Sequence, residues 1–175
     1  MKDNNSILLS FLMTTILLVI SEIVTTTVFP LVGFSSIRFS FFPLLILFLS
    51  FYRNSNWIAF LIIFYSYIHS IFSIEVWYLS AFVGLMASII VAYFSELIHL
   101  SNKFVTMFFS FIFQLGMIIL KSLVFYLRGD GIDFIGKNFI GNIFEIILLT
   151  LLSPLVFDLL RYVWVFKTDS IEEIG

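Results

Sequence analysis

The sequence predicts an all-α, polytopic integral membrane protein with about six transmembrane helices. Three observations predict it. Hydrophobic residues fill 61% of the 175 positions and charged residues only 11%, so a water-soluble domain of this size would lack the polar residues to cover itself. The apolar residues gather into runs near the ~20 residues that a bilayer core demands. No ten-residue stretch alternates apolar with polar residues, as the strands of a membrane β-barrel do. The 24 Phe and 7 Tyr suit lipid-facing helices and interfacial belts.

Spans are expected at about 7–30, 37–52, 57–73, 76–95, 104–127 and 139–161, as a single transmembrane domain over 1–175 with a flexible acidic tail at 168–175. The first run, Ile7 to Phe29, exceeds the ~7–15 residues of a signal-peptide core and ends without a small-x-small cleavage site, so it reads as a retained helix. The second is the shortest. Pro43 comes early in it and its clear apolar part runs only from Phe41 to Tyr52, which leaves a tilted, interfacial or re-entrant helix open. The third and fourth are separated by Ser73-Ile74-Glu75 alone, a tight hairpin. The fifth and sixth flank Arg128 to Asn138, a glycine-containing segment read as the only sizeable outer loop. With the first residues inside, Lys2, Arg53, Lys103, Arg161 and Lys167 face the cytoplasm and Arg38, Arg128 and Lys137 face out, which favours both termini in the cytoplasm.

Ionisable residues inside these runs need a reason, because a lone charge at the bilayer centre costs about 2.5–3.5 kcal/mol on insertion scales. Glu22, Lys121 and Glu145 all fall roughly 9–10 Å below the same boundary at ~1.5 Å per residue. One reading is an ion cluster in which Lys121 ties Glu22 and Glu145 together. The others are a Lys121 that snorkels outward and an ion or substrate path. Asp158 and Arg161, three apart on one helix face, form either a local pair at the cytoplasmic end or a partner contact. Pro154 leaves the Thr150 carbonyl without its helical donor and predicts a kink there. Ser80, Gly84, Ser88 and Ala92 repeat every four residues and mark a face that another helix can approach closely.

Composition also excludes chemistry. Without Cys there is no disulfide, thiolate metal site or thiol nucleophile. A net charge of −2 with no basic block gives nucleic acid nothing to bind. His69 and His99 stand at ends of the third and fourth spans that should lie on opposite sides and do not form a metal pair, while Asp130 and Asp133 read as a solvated turn. No His-Glu-x-x-His, phosphate-binding glycine loop or Gly-x-Ser-x-Gly elbow occurs. The expectation is a protein without catalytic residues, cofactor or metal.

The run from Asn142 to Arg161, Asn-Ile-Phe-Glu-Ile-Ile-Leu-Leu-Thr-Leu-Leu-Ser-Pro-Leu-Val-Phe-Asp-Leu-Leu-Arg, resembles the closing helix of the MreD family of bacterial rod shape-determining membrane proteins. Pro43 in Phe-Phe-Pro-Leu-Leu-Ile-Leu is similar to that family's Pro followed by a Leu-rich run. The middle of the chain departs from the pattern, since Ala59-Phe60-Leu61 is not followed by the family's Gly and Asp. The resemblance implies a non-catalytic scaffold in the bacterial cytoplasmic membrane. It would bind an MreC-like bitopic protein, the polymerase RodA and a class B penicillin-binding protein in cell-wall elongation and the maintenance of rod shape. It also implies a fold similar to the six-helix substrate-binding subunits of energy-coupling-factor vitamin transporters, and such a subunit is the alternative reading. Those subunits carry Ala-x-x-x-Ala-type small residues on the first helix, whereas this helix reads Ile-Leu-Leu-Val-Ile-Ser-Glu-Ile-Val-Thr-Thr-Thr.

Overall fold

The computed structural model describes residues 2–31, 40–52, 57–73, 77–95, 102–127 and 132–164, apart from the side chains of 2–7, 52, 95 and 132–141. Every regular element among them is helical. Helix α1 (Lys2–Ile23) continues through a π-helical turn (Val24–Val28) into a last α-helical turn (Phe29–Leu31). There follow α2 (Phe42–Tyr52), α3 (Trp57–Phe72), α4 (Trp77–Ser95), α5 (Lys103–Leu127) and α6 (Ile132–Val163). Among the described residues, four stretches are long and apolar enough to cross a membrane: Leu8–Leu31, Trp77–Phe94, Lys103–Leu127 and Asn142–Val163. Phe42–Phe51 and Trp57–Phe72 are apolar but shorter.

The short second helix is the centre of the bundle. Its 11 residues reach only about 16 Å, roughly half the ~30 Å bilayer core. It packs against α3, α4, α5 and α6. From Phe41 to Ser50 all residues but Pro43 are buried, as a helix that is apolar on every side must be. Pro43 sits in the first turn, where its missing N–H would have found no partner in any case. The Ser40 hydroxyl accepts the Phe42 N–H (3.3 Å) and so caps that turn.

Three further local features follow from the sequence, and one of them departs from the expected spans. Val24-Thr-Thr-Thr-Val28 is β-branched throughout, which crowds a regular helix, and threonine hydroxyls compete for its carbonyls. The Phe29 N–H accordingly donates to Val24 O, five residues back. The Thr25 and Thr26 hydroxyls donate to the Glu22 carbonyl at 3.0 and 2.7 Å. At the other end of the chain, the segment read as an outer loop is helical from Ile132 onward. Ile132, Ile135 and Phe139 have helical spacing, and Gly136 among them lowers helix propensity without forbidding helix. Finally, α6 runs through Pro154 unbroken. The Ser153 hydroxyl donates to Thr150 O (2.8 Å), which satisfies the carbonyl that Pro154 leaves bare.

On α4, Ser80, Gly84 and Ser88 are buried, whereas Ala92 is exposed. The close approach is centred on Gly84. A Cβ there would meet Ile46 Cδ1 of α2 at 2.9 Å and Ile62 Cγ2 of α3 at 3.1 Å. Ala92 is two turns further along, and the small-residue ladder reaches past the contact it serves. At the end of the bundle where α1 begins, the Ser10 hydroxyl donates to Val163 O (2.7 Å). The Trp164 Nε1–H donates to the Thr14 hydroxyl (2.8 Å), so α1 and α6 run antiparallel and are clamped there.

Candidate functional site

The opposite end of the bundle gathers polar side chains from four places in the chain. Glu22 comes from the last turn of α1, Ser40 from just before α2, His69 from the last turn of α3 and Glu145 from the first half of α6. Glu22 and His69 are deeply buried, with side chains 3% and 7% exposed. The His69 Nδ1 lies 2.8 Å from Glu22 Oε1. In the tautomer that carries its proton on Nδ1, His69 donates to this oxygen. The Ser40 hydroxyl donates to the same oxygen at 2.9 Å and stands 3.3 Å from His69 Nδ1, which closes a triangle. The Ser40 backbone N–H donates to Glu145 Oε1 at 3.3 Å. Ser40 thereby joins the two carboxylates, one through its hydroxyl and one through its amide.

The surroundings hold this arrangement in place. The Phe42 ring stacks on the His69 imidazole with centroids 4.8 Å apart and planes within 7°. The π-helical turn begins two residues after Glu22, and the two threonine hydroxyls on the Glu22 carbonyl fix the backbone that carries the carboxylate. Such turns occur often where a helix must aim a functional side chain. A carboxylate so poorly exposed needs its hydrogen bonds, because isolation in a low dielectric costs several kcal/mol. Chemically, the group can hold a proton within a hydrogen-bonded set of imidazole, hydroxyl and two carboxylates, and it ties α1, α2, α3 and α6 at one level.

Of the residues expected to form an ion cluster, Glu22 and Glu145 meet through Ser40. Lys121 is half-buried on α5, near the end of that helix that lies at the same level. Asp158 and Arg161 form a pair at 3.7 Å on the exposed side of α6, at the opposite end. His69 and Ser40 are the members that sequence reasoning passed over. The other histidine, His99, lies outside the described residues. The depth comparison that grouped Glu22 with Glu145 applies to His69 as well, because His69 stands four residues before the end of its apolar run. Ser40 carried no such signal. Asp130 and the tail 168–175 also lie outside the described residues, as does the side chain of Asp133. No group of three or more His, Asp or Glu side chains suited to a metal ion occurs among the described residues.

A second polar patch lies between α5 and α6. The Gln114 amide donates to Ser110 O (3.1 Å) and to the Thr150 hydroxyl (3.4 Å). The first contact fixes the amide orientation, because a backbone carbonyl can only accept. These bonds lie within the most extensive helix pair of the bundle.

No family model matches the chain, and no curated protein or solved structure matches it.

Proposed function

We propose that this protein is a non-catalytic scaffold of the bacterial cytoplasmic membrane, of the MreD kind. In this reading its six helices all belong to the membrane domain and both termini face the cytoplasm. The bundle presents its faces to an MreC-like bitopic protein and to the RodA and class B penicillin-binding partners of cell-wall elongation. One observation carries the reading. Among the described residues at the Glu22 end, four polar residues bond to one another, with His69 and Ser40 both bonded to Glu22 and Ser40 bonded also to Glu145. A set of groups so used holds four helix segments in fixed relation, which is what a scaffold needs of its interior. Lys121 belongs to the same tie in this proposal, supplying positive charge from α5 to two carboxylates. The resemblance along Asn142–Arg161 adds support, since it falls on the helix that carries Glu145.

The test is co-purification. The full chain, tagged and extracted in mild detergent from a host that co-expresses candidate partners, should retain a single-span coiled-coil protein of the MreC kind. Depletion in the native cell should turn rods into spheres. A vitamin bound at near-equal amounts, with no such partner retained, would replace this reading with that of a transporter's substrate-binding subunit.

A further inference from the structure

The helices around α2 differ in reach. At ~1.5 Å per residue the apolar stretch Leu8–Leu31 extends about 36 Å and Lys103–Leu127 about 37 Å, whereas the 16 residues of α3 extend only about 24 Å and Trp77–Phe94 about 27 Å. Polar residues bound α3 in the sequence, Arg53-Asn54-Ser55-Asn56 before it and Ser73 and Glu75 after it. A long helix can tilt until it fits a hydrocarbon core of ~30 Å, but tilt only shortens the reach of a short one.

The shortfall lies at one end. The Glu22–His69 bond sets α1 and α3 level, and twelve residues separate Ser10 from Glu22 as they separate Trp57 from His69. Ser10 in turn holds Val163 O at the end of α6, so α1, α3 and α6 are flush there. Beyond the bonded pair α1 continues nine residues to Leu31, while α3 stops three residues on at Phe72, a difference of about 9 Å. On α5 the same level falls at Ile119: Gln114 bonds Thr150 of antiparallel α6, and Ile119 and Glu145 each stand five residues from that bond towards the Glu22 end. Helix α5 then continues eight residues to Leu127.

We infer that the bilayer is thinned against α3, with the phospholipid headgroups at the Glu22 end drawn down to the level of His69. This rests on the reading in which all six helices cross the membrane. The outward stripe of α3, Trp57, Phe60, Ile63, Tyr67 and Ile71, is exposed and uncharged, as a face against lipid must be. The helix holds no Lys or Arg whose stem could bridge the gap to a distant headgroup layer. Just past the hairpin Trp77 and Tyr78 are exposed, and such rings anchor at the interface. Tyr93, exposed at the other end of α4, is fifteen residues from Tyr78, about 22 Å. The thinning also explains how the membrane accommodates the Glu22, Ser40 and His69 group. On the α3 side that group lies within about 5 Å of the helix end, beside headgroups instead of deep in hydrocarbon.

The chain has no cysteine of its own, so introduced cysteines report singly. Full-length Ile71→Cys and Leu123→Cys, both at exposed positions, are reconstituted in dioleoylphosphatidylcholine vesicles with a water-soluble thiol reagent on both sides. Labelling is counted against that in denaturing detergent. Leu123 is four residues past Ile119 and Ile71 only two past His69, so a flat bilayer would expose Leu123→Cys first. The thinned bilayer reverses the order: Ile71→Cys should label and Leu123→Cys should stay protected. Protection of Ile71→Cys, or equal labelling of the two, would overturn the thinning. Protection that lifts as the vesicles are made richer in lipid would overturn it too, by assigning the α3 face to a second copy. In sealed membranes of the expressing cell, Asn54→Cys and Ser73→Cys should react from opposite sides. Reaction from one side would overturn the six-crossing reading itself, whereas opposite sides with a protected Ile71→Cys would overturn the thinning alone.

Discussion

The separate losses from removing each partner of the Glu22–His69 pair should sum to clearly more than the loss from removing both. His69→Leu leaves a carboxylate that is 3% exposed with the Ser40 hydroxyl on the oxygen that His69 vacates. Breaking a buried pair in this way typically costs ~3–5 kcal/mol. Glu22→Leu strands instead the imidazole and the Ser40 hydroxyl, worth about 1–3 kcal/mol for a buried donor left without an acceptor. The double replacement puts two apolar side chains of similar bulk together, and such exchanges are often close to neutral. If the single losses sum to roughly 4–8 kcal/mol and the double variant loses no more than about 2, the coupling is at least ~2 kcal/mol. An exposed pair would give ~0.2–1 kcal/mol, so the 2.8 Å contact and its burial place this pair in the stronger class. At about 2–4 °C per kcal/mol for a chain of this size, His69→Leu should melt roughly 6–20 °C below wild type in detergent, and the double variant within a few degrees of it. The cycle is read by thermal unfolding of the four proteins. Single variants that each melt near wild type, or a double variant whose loss equals the sum of the singles, would refute the coupled buried pair.

Gly84→Ala should lower stability, because the new methyl meets Ile46 Cδ1 at 2.9 Å and overpacking costs of ~1–3 kcal/mol exceed the ~1 kcal/mol gained in helix propensity. Adding Ile46→Val, which deletes that Cδ1, should recover part of the loss, and a Gly84→Ala protein as stable as wild type would contradict the close approach. Trp164→Phe removes the indole bond to Thr14; a loss of about 0.5–1.5 kcal/mol is expected, with faster hydrogen exchange in the last turn of α6. Ser153→Ala should cost on the order of 1 kcal/mol by baring the Thr150 carbonyl, and Pro154→Ala in the same background should restore it by returning a backbone donor. Calorimetric or fluorescence-monitored unfolding of the three proteins checks this last pair.

The helices were legible in the sequence to the degree that apolar runs are. Trp57, Trp77 and Lys103 begin helices within a residue of where the runs begin, because a change from polar to apolar composition is a local signal. The central place of α2 was not legible. Its shortness suggested several fates, and its burial depends on the walls that α3 to α6 supply. Similarly, Glu22 and Glu145 announced themselves as charges out of place, whereas the bond between Glu22 and His69 joins residues 47 positions apart and follows from no local pattern. Ser40 was beyond reach for another reason. Serine before a helix is ordinary, and its role as the bridge between two carboxylates exists only once three other segments arrive around it. The π-helical turn could have been suspected from five consecutive β-branched residues, but propensity sets no register.

The depth at which α2 is enclosed has a consequence for how the protein is made. A segment of about 16 Å cannot lodge across a bilayer by itself as it leaves the ribosome, and its walls on α5 and α6 are encoded after it. We expect it to wait, shallow and reachable from water, until those later helices are synthesised and close around it. Nascent chains stopped after Ser95 should therefore leave residues 42–52 open to a membrane-impermeant thiol reagent at introduced cysteines, and chains extended through Trp164 should shield them. Equal protection at both lengths would show that α2 reaches its place before its last neighbours exist.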